Sequence, residues 1–280
     1  MSVGIITDST ADFLASHAEK RNIEIARLKI IVDGNEYIDG VDITNKEFYG
    51  LMKESKEIPK TSQVTPDKFI TIFEDALERY DEVIGIFISS EMSGTYQSAM
   101  IAKDAIGSDK IHIIDSRQTT YGLQLLVDIC ADLRDEGKTA SEIVPELERI
   151  KSKIHLYAMI DDLKNLKKGG RTSLAGLVIG TAFHIKPVIT VADGSSKVIA
   201  KLKGKKNAIE FMCKTYIEKC ADLTKPIYVA HTDCIELLDQ FKEALTKSAG
   251  SERSFVDAEV GATIATHVGL GCIGFAQIEK

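Results

Sequence analysis

Residues 83–106 read VIGIFISSEMSGTYQSAMIAKDAI. The apolar, β-branched run over 83–88 predicts a buried strand. Helical spacing takes over from Thr95 and runs to Ile106. Between them stand Ser89, Ser90, Ser93, Gly94 and Thr95, more hydroxyls than one helix cap requires. An apolar strand passing through a short loop into a helix is the unit from which covered parallel sheets are built.

The flanking sequence repeats that unit. "VGIITD" (3–8) is strand-like, and in the following "STADF" Ser9 or Thr10 can cap a helix with Asp12 in its first turn. "IEIARLKIIV" (23–32) reads as a second extended segment, and "TNKEFYGLMKES" (44–55) as a helix capped by Thr44 or Asn45. "PDKFITIFEDALERY" (66–80) is amphipathic, with Pro66 at its start. A strand over 111–115 and helices over 119–136 and 139–152 follow. The first half, residues 1–154, is therefore expected to be an α/β domain, a parallel sheet with helices on both faces.

The second half changes pattern. "HLYAMI" (155–160) leads into the helix "DDLKNLKKGG". "KPVITVADG" and "SSKVIAKLK" are adjacent strands, and Asp193–Gly194 between them is a strong hairpin signal. A helix near 205–221, the strand "PIYVAH", a helix near 233–248, the strand "FVDAEV" and a final "CIGFAQI" complete the chain. Hairpins mixed with crossover helices predict an α+β domain over 155–280.

With 280 residues and 44% hydrophobic residues, the chain can bury a full core. No window supplies eighteen consecutive apolar residues, and "MSVGIITDST" lacks the basic and apolar regions of a secretory signal. The net charge is −7 without a basic stripe, which argues against nucleic acid and against more than transient membrane contact. Cys130, Cys213, Cys220, Cys234 and Cys272 are dispersed, as reduced thiols of a cytoplasmic protein would be, and no metal site is expected.

Chemistry is sought at the carboxyl ends of parallel strands. Four polar loops fall at that edge: "TDST", "TSQVTP", "SSEMSGT" and "DSRQTTYG". Each taken singly is explained by capping, but four together suit an oxygen-rich anion held by hydroxyls and helix-terminal amides. Gly94 would let a ligand approach the backbone. In "LKNLKKGGRTS" the lysines Lys164, Lys167 and Lys168 suit a solvated helix end, whereas Arg171 projects from a loop, where guanidinium suits carboxylate or phosphate. His267 lies in the glycine-rich "GATIATHVGLGCIGF", read as a tight turn that would bring it to a ligand; His231 reads as part of a helix cap. A serine hydrolase using Ser93 and His267 can be drawn, but no Gly-x-Ser-x-Gly elbow surrounds Ser93. A sugar-phosphate binder is a third reading.

Taken in series, "IITDSTADF", "TSQVTPDKF", "SSEMSGTYQSA", "DSRQTTYG", "LKKGGR", "KPVITVADG" and "THVGLGCIG" resemble the motifs of the DegV family, the fatty acid-binding subunits of bacterial fatty acid kinase. The family often has proline directly after "TSQ", where Val64 and Thr65 intervene here, and its closing His-x-Gly-Pro-Gly has Leu270 in place of proline. The resemblance implies a non-catalytic chain with no cofactor and one long-chain fatty acid in a buried tunnel. It implies that Thr61, Ser93, Gly94 and His267 bind the carboxylate. Arg171, Ser62 and Thr95 would lie near the headgroup or the docking surface for an ATP-dependent kinase subunit, whose acyl-phosphate product enters phospholipid synthesis. Ile30, Phe183, Ile185 and Ile264 are candidate tunnel walls.

Overall fold

The computed structural model describes residues 2–161, 163–171, 184–219 and 224–279. The 83–106 segment folds as β6 (Glu82–Phe87) and α4 (Thr95–Ile106), joined by the hydroxyl-rich loop. With β1 (Val3–Asp8), β2 (Ile23–Ala26) and β7 (Ile111–Asp115) it makes a four-stranded parallel sheet of order β2-β1-β6-β7. Alternate side chains of β6 face opposite ways. Val83 and Phe87 pack with Phe69 and Phe73 of α3 (Pro66–Leu77) and with Ala99 and Ala102 of α4. Ile84 and Ile86 pack with α5 (Thr120–Asp135) and α6 (Ala140–Ile150). A strand buried on both faces must be apolar at nearly every position, and β6 is.

The second sheet joins β8 (Ile154–Met159), β9 (Ile185–Ala192), β10 (Ser195–Lys203), β11 (Ile227–His231), β12 (Phe255–Glu259) and β13 (Ile273–Ile278). Its order is β10-β9-β8-β13-β11-β12, with only β11 and β12 parallel. α8 (Gly204–Lys219) and α9 (Ile235–Ala249) cover its outer face, where Tyr216 and Phe241 meet the ring of Phe275. The expected fold class, a parallel α/β part followed by a mixed-sheet part, is thus the observed one.

α5 lies between the two sheets. It packs against β1 and β6 on one side and β8, β11 and β13 on the other. Such a helix is apolar around most of its circumference. Its buried Asp128 is bonded from both sides: His17 of α1 (Ala15–Lys20) at 2.9 Å and the Tyr228 hydroxyl of β11 at 2.8 Å.

Three local expectations need correction. The 23–32 run is not one strand. It divides after Ala26, where the Leu28 N–H turns to the Ser9 hydroxyl at 3.2 Å. β3 (Lys29–Val32) then enters a separate antiparallel sheet with β4 (Asn35–Ile38) and β5 (Lys60–Ser62). The expected helix at "STADF" is a single 3₁₀ turn, Ser9–Ala11. Its cap is Asp8, whose Oδ1 accepts the Thr10 N–H at 2.9 Å, and Asp12 closes the turn at φ 55° instead of opening a helix. The third is the glycine-rich 261–275 stretch, which holds α10 (Ala262–Val268) with glycines at its two caps rather than a tight turn. Phe183 and Cys220 lie outside the described residues.

Candidate functional site

The hydroxyls of the 88–99 loop divide their work. Ser89 donates to the Gly194 carbonyl at the tip of the β9–β10 hairpin, 2.7 Å away. Ser90 donates to Asp115 at the end of β7, 2.6 Å away. Ser93 Oγ accepts the Thr95 N–H at 3.2 Å and lies 2.9 Å from the Thr95 hydroxyl. Ser89 and Ser90 are therefore structural, and Ser93 is the one whose loop position opens on a cavity.

That cavity is about 280 Å³. All four polar loops reach it: Thr10 after β1, Thr61 to Gln63 at and after β5, Met92 to Gly94 after β6, and Thr119 after β7. α10 contributes Thr263, Ile264, His267 and Val268, and β10 contributes Ser196. Leu28, Ile88 and Leu166 add apolar wall. Of the expected site residues, Thr61, Ser62, Ser93, Gly94, Arg171 and His267 line this one space. Thr95 does not; its side chain is buried against Ser93. On its Cβ side Gly94 is closed, because the Gln63 amide oxygen fills the place a Cβ would take, so only its backbone is left to meet a ligand. Among the candidate tunnel walls, Ile264 lines the cavity, whereas Ile30 is fully buried core and Ile185 is half-buried on β9.

His267 and Thr61 are joined, Nε2 to Oγ1, at 3.0 Å. Burial first, and the Arg171 guanidinium second, push the His267 imidazole down to about 4, so it is neutral at physiological pH. Its Nδ1 is buried without a partner and faces Gly169, where an added Cβ would sit only 2.5 Å away. Gly169 ends α7 (Lys164–Gly169), and its hydrogen side chain is what admits the imidazole. Arg171 is exposed and bonds to the carbonyls of Met92, at 3.4 Å, and Gly169.

A second, outer groove of about 460 Å³ shares Thr61, Arg171 and His267 with the cavity. Lys60, Lys168 and Glu57 line it. The three shared residues are where the two spaces adjoin.

Behind α10 lie three buried carboxyls. Burial pushes Asp8 up to about 6, against opposing hydrogen bonds from Thr10 and the Ile88 N–H. Burial also raises Asp12 well above the usual carboxylate range and raises Asp39. Asp12 accepts the Gly261 N–H at 2.9 Å, and Asp39 accepts the Thr263 hydroxyl at 2.6 Å, so both hold the start of α10. Among the described residues no group of His, Cys, Asp or Glu could hold a metal ion. Cys130, Cys213, Cys234 and Cys272 are free thiols, and His231 accepts the Cys234 N–H at 3.3 Å, as a cap does.

Sequence reasoning missed Gln63, Thr119, Ser196 and Thr263. Gln63 and Thr119 stood inside the polar loops already singled out. Ser196 and Thr263 carried no signal, since each belongs to an ordinary strand or helix that only the fold turns toward the cavity.

The fold and site together define a class: an α/β chain whose parallel sheet ends at a hydroxyl-lined cavity closed over by a second, mixed-sheet part. The chain belongs to the DegV family, whose model, "Uncharacterised protein, DegV family", matches residues 2–280. A DegV domain-containing protein from Caldanaerobacter subterraneus is 37% identical over 279 residues, covering 99% of each chain. A fatty acid-binding DegV family protein from Thermus thermophilus superposes with a TM-score of 0.93 at 27% identity, covering 100% of both chains. DegV from Bacillus subtilis, a fatty acid-binding protein, superposes with a TM-score of 0.87 at 29% identity, again covering 100% of both.

Proposed function

We propose that this chain binds one long-chain fatty acid in the cavity and presents its carboxylate to an ATP-dependent kinase subunit, which converts it to an acyl phosphate for phospholipid synthesis. The carrying observation is the position of Thr61, Ser93 and His267: uncharged hydrogen-bonding groups at one cavity, two of them also at the outer groove. In this reading the carboxylate meets the Thr61 and Ser93 hydroxyls and the Gly94 amide, with His267 neutral beside it. Arg171 and Ser62 serve the exposed side, where the kinase would dock. The tail extends past Leu28, Ile88 and Ile264. A division near residue 154 would let the lipid lie between two domains of a cytoplasmic carrier.

The energetics favour such a ligand. Each buried methylene contributes roughly 0.8 kcal/mol, so about sixteen carbons supply on the order of 12 kcal/mol before the entropy of association is subtracted. A carboxylate in the same interior needs hydrogen-bond donors, and hydroxyls supply them without the tight pairing of a bidentate guanidinium. That leaves an oxygen free to attack phosphorus. The hydrolase reading is weaker, because the His267 Nε2 is bonded to Thr61 and Ser93 to Thr95, so base and nucleophile are not paired.

Mass spectrometry of the organic extract of protein purified from a bacterial host tests the reading. A stoichiometric fatty acid is expected. Protein that is empty and also refuses added palmitate and oleate would overturn it. No helix among the described residues is long and apolar enough to cross a membrane.

A further inference from the structure

The cavity carries a second polar station that the carboxylate site does not use. Thr119 lines the cavity but not the outer groove, and it is not among the residues assigned to the carboxylate. It is 7% exposed, and its hydroxyl has no hydrogen-bond partner. A buried hydroxyl left unpaired is costly, and most are paired. Thr119 is also the N-cap residue of the sixteen-residue α5, yet its side chain makes no capping bond. An N-cap threonine ordinarily turns its oxygen back onto the helix; this one does not.

The backbone on either side of it is strained. Thr120 has φ 47° and Arg117 has φ 56°. The left-handed region is uncommon for any residue with a Cβ and a genuine outlier for a β-branched one. The Arg117 guanidinium donates to the Asp193 carbonyl, which fixes this turn against the β9–β10 hairpin. Ser196 of that hairpin and Thr10 line the same space. Thr10 already gives its proton to Asp8, whereas nothing takes that of Thr119.

Resting on the fatty acid reading above, we propose that the Thr119 hydroxyl, at the start of α5, receives an oxygen borne along the acyl chain. The preferred ligand is then a fatty acid with an in-chain hydroxyl or keto group, held at two points. A plain saturated tail would leave Thr119 unpaired, whereas an oxygen at the matching carbon would pair it. A site built to hydrogen-bond a ligand oxygen rejects the analogue that lacks it.

Delipidated protein is titrated with stearate and with a positional series of monohydroxystearates, in the wild type and in Thr119→Val, which keeps the shape and removes the hydroxyl. At least one isomer is expected to bind about tenfold tighter than stearate to the wild type and to lose that advantage in Thr119→Val, where stearate no longer faces an unpaired hydroxyl and binds at least as tightly as it does to the wild type. If stearate binds and no isomer gains, or if the gain survives in Thr119→Val, the second station is overturned and the carrier reading stands. If neither stearate nor any isomer binds, both are overturned. A crystal structure with the preferred isomer checks the position: its in-chain oxygen should lie within hydrogen-bond distance of Thr119, and finding its carboxylate there instead would reverse the assignment.

Discussion

Thr61 is held by one neighbour before any ligand arrives, since its hydroxyl lies 3.0 Å from the Nε2 of His267. That pairing fixes its rotamer and aims it at the cavity. Hydrogen bonds to a charged group contribute about 1.5–3 kcal/mol, so Thr61→Ala and Ser93→Ala should each weaken fatty acid binding roughly tenfold or more, read by isothermal titration. Unchanged affinity in the double variant would remove both from the carboxylate site. His267 permits a second test. Its ring should stay neutral down to about pH 4, followed by the NMR shift of its ring proton. Arg171→Gln removes one of the two causes of that depression and should move the titration upward. A ring that titrates near its ordinary value in the wild type would contradict the buried, cation-flanked setting. Thr61 and Ser93 were legible in the sequence as members of polar loops, and His267 as part of a glycine-rich stretch. Their pairing was not, because Thr61 and His267 are 206 positions apart.

At the level of elements, α10 is the part that matters most and the part least visible beforehand. Its seven residues follow one glycine and precede another, which reads as a turn. It is helical because its first residues are held from outside, by Asp12 at the Gly261 N–H and by Asp39 at the Thr263 hydroxyl. Asp12 carries a raised folded-state value, so the folded protein holds its proton more tightly than the unfolded chain does. The sign follows: the stability associated with Asp12 is full at low pH and is lost as pH rises from about 4 through the raised folded value. Asp12→Asn keeps an acceptor for Gly261, tolerates the left-handed φ of 55° and removes the charge. It should raise the melting temperature at about pH 8, with a gain that shrinks toward about pH 5. A variant less stable than the wild type at both values would refute this. On the facing element, Gly169→Ala places a methyl against the imidazole and should lower fatty acid affinity about tenfold, the loss expected when one charged hydrogen bond is misaligned, while the melting temperature changes little. An unchanged affinity would show that His267 can retreat without disturbing Thr61.

Across the whole molecule, the cavity is a product of assembly. Loops from the parallel sheet make one side, α10 and β10 make the other, and α5 sits in the core that both sheets share. A ligand there binds only the folded state and so stabilises it by mass action, by about 2.7 kcal/mol when free ligand exceeds Kd a hundredfold. Stripping the lipid should therefore lower the melting temperature by roughly 5–10 °C, and added palmitate or oleate should restore it. Equal melting curves for stripped and reloaded protein would mean that the cavity is not where the lipid binds.

Local sequence was enough to read the two halves, most of their strands and most helices, because these rest on local periods and on turn chemistry such as Asp193–Gly194, whereas β4 and β5 were not read as strands. Its polar loops also marked the edge where the cavity opens, since hydroxyls at strand ends follow from the need to satisfy helix termini. Long-range contacts set the rest: "IEIARLKIIV" breaks between two sheets, 262–268 is a helix, and Thr119, Ser196 and Thr263 share one space. Each of those outcomes is fixed by a partner far along the chain: Ser9 for Leu28, Asp12 and Asp39 for α10, and the docked hairpin for the cavity wall. Local sequence carries the propensity of a segment, and such distant contacts override it wherever they satisfy a buried polar group that the segment alone would leave unpaired.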